Sequence, residues 1–190
     1  MDIPELYFES DKEWYDWLLK NRDKHNAVYL IFYKVDHPMP SMRWEEAVKV
    51  ALCFGWIDST VKSLGNGKRR QYFCPRNPKS DWSALNKKYI KELKEENLMQ
   101  PLGLESIKVA KKNGSWSALD HVENGIIPTE LQQAFNANPT AFENYQNFAK
   151  GYRKSYLYWL HNAKREATRQ KRIAEIIKLC DANIKSRGNW

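Results

Sequence analysis

Residues 54–86 read "FGWIDSTVKSLGNGKRRQYFCPRNPKSDWSALN". Two runs rich in aromatic and β-branched residues, about Trp56–Ser63 and Lys68–Pro75, flank "LGNG" at residues 64–67. An Asn-Gly pair between such runs is a strong hairpin signal. Upstream, "SMRWEEAVKVALCF" (residues 41–54) sets Trp44, Ala47, Val48, Ala51 and Leu52 at helical spacing, with Ser41 at its start and Gly55 at its end. Before that, "NAVYLIFYKV" (residues 26–35) is a continuous β-branched and aromatic run, the pattern of a buried strand. "DHPMPS" breaks it, because two prolines cannot continue a central strand. Strand, helix and hairpin in this order predict an α+β fold with a small antiparallel three-stranded sheet and packed helices.

The rest of the chain reads as helix. "SDKEWYDWLLKNR" (residues 10–22) has Ser10 as a cap, Glu13 three residues on, and Trp14, Trp17 and Leu18 on one face. After the loop "NPKSD", Trp82, Leu85, Asn86, Tyr89, Ile90 and Leu93 follow helical spacing, with Ser80 or Asp81 as the expected cap. Pro101 and Gly103 separate this helix from "LESIKVAKKNG". Four further helical stretches follow Pro128. The expected organisation is an α+β region over residues 1–120 and a helical C-terminal region over 121–190 packed on it.

The chain of 190 residues is long enough to bury a core without metal or disulfide staples. Three cysteines, none close to another in sequence, indicate neither a disulfide framework nor a zinc ribbon and point to a reducing, cytoplasmic setting. The start lacks a signal pattern, and no apolar run nears the roughly 20 residues of a membrane span. The formal net charge is +8, which attracts anionic partners. It is spread over "GKRRQ", "NKKYIKELK", "KVAKK" and "KREATRQKR", whereas a dedicated nucleic-acid arm concentrates its charge.

The register of the hairpin decides which side chains meet. A two-residue Asn66-Gly67 turn pairs Asp58 with Pro75 and turns Arg76 away. A three-residue Gly65-Asn66-Gly67 loop pairs Trp56 with Arg76. The second is preferred, because it puts Ile57, Val61 and Phe73 on a core face and Trp56, Asp58, Thr60, Tyr72 and Arg76 on the other. Asp58 and Arg76 are then diagonal neighbours. With Lys62, Ser80, Trp82 and Asn86 these residues form either a structural brace or a pocket. In the pocket reading Trp56 and Trp82 are walls, Asp58 orients Arg76, and the bases hold a small anionic or polar ligand. Asn86 lies on an apolar stripe, where an amide needs partners.

Other chemistries find less footing. No glycine-rich phosphate loop follows a strand. His25, His37, His121 and His161 have no metal-ligand spacing, so no metal or cofactor is expected. Cys53 reads as a buried thiol sooner than a nucleophile. Asp58 as general acid or base lacks a second carboxylate or nucleophile in the motif. In the C-terminal region Tyr152, Tyr156, Trp159, Leu160 and Ala163 share an inward stripe. Arg165, Arg169 and Arg172 lie on another face, either pairing with Glu166 and Glu175 or meeting an anionic partner.

The strings "EEAVKVALCFGWIDSTVKSL" and "YFCPRNPKSDWSALN" resemble the YdeI/OmpD-associated family, also called bacteriocin-protection proteins. "YRKSYLYWLHNAKREATRQKRI" is similar to the family's C-terminal segment. The chain departs from the pattern at "LGNGKRR", where the family tends to place an acidic residue after the leucine. The resemblance implies a protective or stress-related role and brings no catalytic residues. The expectation is therefore a cytoplasmic binding protein using Trp56, Asp58, Lys62, Arg76, Ser80, Trp82 and Asn86. The alternatives are a nucleic-acid-binding protein using dispersed bases and aromatics, and an enzyme with Asp58 as acid or base. Oligomeric state is left open.

Overall fold

The computed structural model describes residues 3–187, so the outermost ends of the two expected regions lie outside the described residues. The described chain divides into two compact units between Ser117 and Ala118.

The first unit is α+β. In chain order its elements are β1 (Glu5–Tyr7), α1 (Asp11–Asn21), β2 (Val28–Tyr33), α2 (Trp44–Cys53), β3 (Trp56–Gly65), β4 (Lys68–Pro75), α3 (Ala84–Glu95) and α4 (Pro101–Asn113). The sheet has four strands in the order β1-β2-β4-β3. The antiparallel ladder β2-β4-β3 is the sheet expected from sequence, and β1 adds a parallel edge to β2. The expectation of three antiparallel strands is thus corrected to a mixed sheet of four. Strand β1 spans only three residues, "ELY", too few to show a period, and its place comes from pairing rather than pattern.

Helix α1 begins as its sequence prescribes. Ser10 Oγ accepts the Glu13 N–H, and the Glu13 carboxylate accepts the Ser10 N–H, so two otherwise orphaned donors are satisfied. Trp14 and Leu18 carry its buried face. On one side of the sheet Val28, Leu30, Phe32 and Phe73 pack with Trp14, Leu18, Ala47, Val48 and Leu52 into one core.

Helix α2 starts at Trp44, with Arg43 as its N-cap. Ser41, expected at the start of this helix, lies before it and accepts the Tyr33 N–H. Helix α3 is capped by Ser83, whose Oγ accepts the Asn86 N–H at 3.2 Å, so neither Ser80 nor Asp81 is the cap. Trp82 therefore precedes the helix, and Leu85 is 40% exposed rather than part of the stripe. Pro101 does not separate helices but opens α4, where its missing N–H costs nothing. Gly103 sits inside α4 because that helix crosses α2 so closely that a Cβ there would stand 2.2 Å from the Cys53 carbonyl oxygen.

The second unit is helical: α5 (Asp120–Glu123), α6 (Thr129–Asn136), α7 (Pro139–Asn147), α8 (Lys150–His161) and α9 (Glu166–Asp181). Leu131, Phe135, Tyr145, Phe148, Tyr156, Leu160, Ile173, Ile176 and Cys180 form its core. Asn144 donates to the Cys180 carbonyl at 2.9 Å, and Tyr156 Oη donates to the Ile184 carbonyl at 2.7 Å. Tyr152, expected inside, is exposed. Arg169 pairs with Glu130 of α6, and Arg172 donates to the Trp159 carbonyl, so two of the expected surface arginines tie elements together.

Candidate functional site

The hairpin turn is Asn66-Gly67. Gly65 pairs with Lys68, and both turn residues have positive φ, 47° and 71°. That is the primed turn that Asn-Gly favours, and the expected three-residue loop is corrected to two residues. Register shifts then fall between Ser63 and Gly65 and between Asp58 and Val61. Each adds a residue to β3. By the open end Trp56 lies opposite Pro75, and Arg76 donates its N–H to the Gly55 carbonyl. Neither register weighed from the sequence allows for two bulges.

The bulges re-aim the side chains. Asp58 faces the core side with Phe73 and Gln71, while Val61 is 48% exposed and Tyr72 packs on Tyr29 across the opposite face. The predicted grouping of Ile57, Val61 and Phe73 against Trp56, Asp58, Tyr72 and Arg76 is thereby overturned. Asp58 Oδ2 accepts from Trp44 Nε1 at 2.9 Å and from Gln71 Nε2. Gln71 is 2% exposed, so this carboxylate satisfies a donor that water does not reach.

The seven predicted residues are only partly brought together. Trp56 is buried and meets Trp14 edge to face. Lys62 lies on the other sheet face, opposite Arg70. Arg76 lies just past β4, its guanidinium 3.8 Å from the Trp82 ring centre, and donates to the Asp81 carbonyl. Burial pushes that guanidinium down to about 10, against the opposing pull of Asp81 and Asp58. Ser80 Oγ donates to the Asn77 carbonyl at 2.8 Å, closing the loop. Asn86 is half-buried in the first turn of α3. Arg76 and Trp82 are thus brought together, whereas Asp58 and Lys62 are held on opposite faces. Burial pushes the Cys53 thiol up to about 12, the reverse of what a nucleophile requires.

Asp58 holds Trp44 and Gln71 while Arg76 holds the 77–82 loop, so between the two there is only the electrostatic pull of Asp58 on the guanidinium, and they should couple weakly. Asp58→Asn removes a charged acceptor from two donors and should cost about 1–3 kcal/mol in urea denaturation. Its coupling with Arg76→Ala in a double-mutant cycle should stay below about 0.5 kcal/mol. A larger coupling would restore Asp58 and Arg76 as one functional pair.

A second arrangement gathers residues that sequence reasoning left apart. Where the hairpin arm leaves the core, a cleft of about 580 Å³ opens. Lys34 from the end of β2, Arg43 and Trp44 from the start of α2, and Lys68 and Arg69 from β4 line it, with Phe32 and Met42 among the lining residues. Its described lining has four bases and no carboxylate. The Arg69 guanidinium lies 5.4 Å from the Phe32 ring centre. The Lys34 N–H donates to the Gly67 carbonyl at 2.9 Å, tying the turn to the cleft wall. Trp44 is fixed by Asp58, and since Glu45 and Glu46 occupy the first turn of α2, with Glu46 accepting the Arg43 N–H at 2.7 Å, the positive charge of the cleft comes from its four bases. Such a site suits a polar anion with a flat or apolar part. Its sequence signal was three short basic stretches, "YK", "MRW" and "GKRR", each at the end of an element. Only tertiary pairing brings them together.

Residues 6–106 match the model of a domain of unknown function, DUF8412. Residues 124–183 match the model described as bacteriocin-protection, YdeI or OmpD-associated. No curated protein and no solved structure matches the chain.

Proposed function

The chain belongs to the DUF8412 domain family, with a C-terminal segment of the bacteriocin-protection, YdeI or OmpD-associated type, and on that premise we propose that it is a binding protein for a small anionic or polar molecule. The protective role of the C-terminal family is then exercised through that ligand. The observation that carries this reading is the cleft of about 580 Å³ with Lys34, Arg43, Lys68 and Arg69 around Trp44. Its size falls within the roughly 300–1,000 Å³ of small-molecule sites. Asp58 serves as a positioning residue: it holds the Trp44 ring at the cleft wall and does not face the ligand as a catalyst. Acid–base chemistry by Asp58 has less support, because both its described partners are donors that it anchors. The cytoplasmic setting expected from the cysteine spacing is kept as part of this proposal.

The test uses inorganic pyrophosphate and citrate as compact polyvalent probes in a thermal-unfolding titration. At about 100 times Kd a ligand binding only the folded state stabilises it by about 2.7 kcal/mol, which moves the midpoint by several degrees. The triple variant Lys34→Ala, Arg43→Ala, Lys68→Ala should lose most of that shift, while Lys88→Ala on exposed α3 should keep it. Equal shifts in all three proteins, or no shift with either probe, would overturn the assignment.

A further inference from the structure

The sheet has a second face, and its chemistry differs from that of the cleft. Alternation along β2 and β4 sends Val28, Leu30, Phe32 and Phe73 into the core. Tyr29, Tyr72 and Arg70 therefore project to the other side, where Tyr29 lies opposite Tyr72 and Arg70 opposite Lys62. The bulge after Asp58 adds Ser59 and Thr60 to the same surface. Together these six residues line a shallow groove of about 290 Å³. The Tyr29 and Tyr72 rings stand edge to face with centres 5.5 Å apart, and the Arg70 guanidinium lies 4.3 Å from the Tyr29 ring centre.

We propose that this tyrosine and base surface of the sheet binds single-stranded nucleic acid. Three observations point there. Tyr72 offers a ring on which a base can stack, and at Tyr29, where the Arg70 guanidinium covers one face, a base can stack on the guanidinium plane instead. Lys62, which is exposed, and Arg70 stand beside the rings, where the phosphates of a strand stacked on them would run. Arg70 Nε is shielded from water yet has no hydrogen-bond partner, while its Nη1 is engaged by Glu5. Nε itself is out of a ligand's reach, but the Arg70 side chain is 28% exposed and its partner Glu5 45% exposed, so a phosphate can reach the Nη edge. Glu5 is the carboxylate paired at the groove, and a phosphate on Arg70 would displace it. A formal net charge of +8 supplies the long-range attraction. Stacking on these side chains needs a free base face, which favours an unpaired strand; in a duplex the base faces are hidden against one another.

The experiment is fluorescence anisotropy with a labelled oligo-dT 15-mer, alone and annealed to oligo-dA. The single strand should bind more tightly than the duplex. The logarithm of its affinity should fall with the logarithm of salt by about 0.7 for each phosphate contacted. Tyr72→Ala should weaken binding about tenfold or more, and Tyr72→Phe should retain it, because stacking needs the ring and not the hydroxyl. Lys62→Ala, an exposed change that leaves the core intact, should lower both the affinity and the salt slope. It decides the matter if Tyr72→Ala fails to fold. Lys88→Ala, exposed on α3 and outside both the groove and the cleft, should leave the single-strand affinity unchanged. Three results would overturn the proposal: a duplex bound as tightly as the strand, wild-type affinity in Lys62→Ala, or no binding at low salt. Because the cleft is tested with small anions and its own variants, either assignment can fail without the other.

Discussion

Gly103→Ala is expected to destabilise the first unit by about 3 kcal/mol or more, the upper end of the range for forced overpacking. An added Cβ would lie 2.2 Å from the Cys53 oxygen and 2.8 Å from both the Cys53 carbon and the Leu52 oxygen. These are backbone atoms, so no side-chain rotation relieves the clash. The Cys53 carbonyl is also committed, since it accepts the Gln100 N–H at 3.0 Å just before α4 begins. The helices must therefore move apart, and α2 carries Ala47, Val48, Ala51 and Leu52 into the core. Gly151, in the first turn of α8, is the comparison: nothing lies within 4 Å of its Cβ position. Gly151→Ala should be neutral or slightly stabilising, as expected for alanine in an open helical position. Urea denaturation of both variants checks the pair. Wild-type stability of Gly103→Ala would mean that α2 and α4 do not approach as closely as described.

The same glycine shows where sequence reading reaches its limit. Gly103 and Pro101 look like a break between helices, because both are poor helix formers when only local propensity is considered. Proline is tolerated at the first helical position, and here the glycine is required by a neighbour about fifty residues away. Local signals fared better where the information itself was local. The Ser10–Glu13 capping box, the buried run of β2 and the presence of a hairpin at residues 64–67 each carry their physical reason within a few residues, although the turn has two residues where three were expected. The register did not, because it is set by two bulges in β3, one after Asp58, whose carboxylate meets Trp44 and Gln71, and one between Ser63 and Gly65 beside the turn. That is why Asp58 was recognised as distinctive while its partners Trp44 and Gln71 were missed. A carboxylate expected to meet Arg76 was shifted to the face where a tryptophan N–H and a buried amide needed an acceptor. The cleft was still less legible. Lys34, Arg43 and Lys68 are ordinary surface bases in sequence, and only the convergence of three element ends makes them a group.

Trp14→Ala should cost about 3–5 kcal/mol, the loss typical of a large aromatic removed from a core. Trp14 is fully buried and packs against Phe8, Trp17, Trp56 and Phe73, with ring centres 5.4–6.4 Å apart. Two of those rings, Trp56 and Phe73, form the base of the hairpin, so the indole supports the strands that carry both proposed surfaces. Its Nε1 also donates to the Ala47 carbonyl at 3.2 Å, linking α1 to α2. Trp14→Phe separates packing from hydrogen bonding. It keeps most of the aromatic contact and gives up the N–H donor, whose acceptor stays within the helical ladder of α2, so it should cost less than half as much as the alanine change. Guanidinium denaturation of the three proteins gives the comparison. Equal losses in both variants would mean that the hydrogen bond, not the packing, holds the helices together. The phenylalanine variant should also retain the anion-induced rise in thermal midpoint, because Asp58 and Trp44 position the cleft wall through a contact that Trp14 does not share. Loss of that rise in a folded Trp14→Phe protein would show instead that the cleft depends on the hairpin base beneath it.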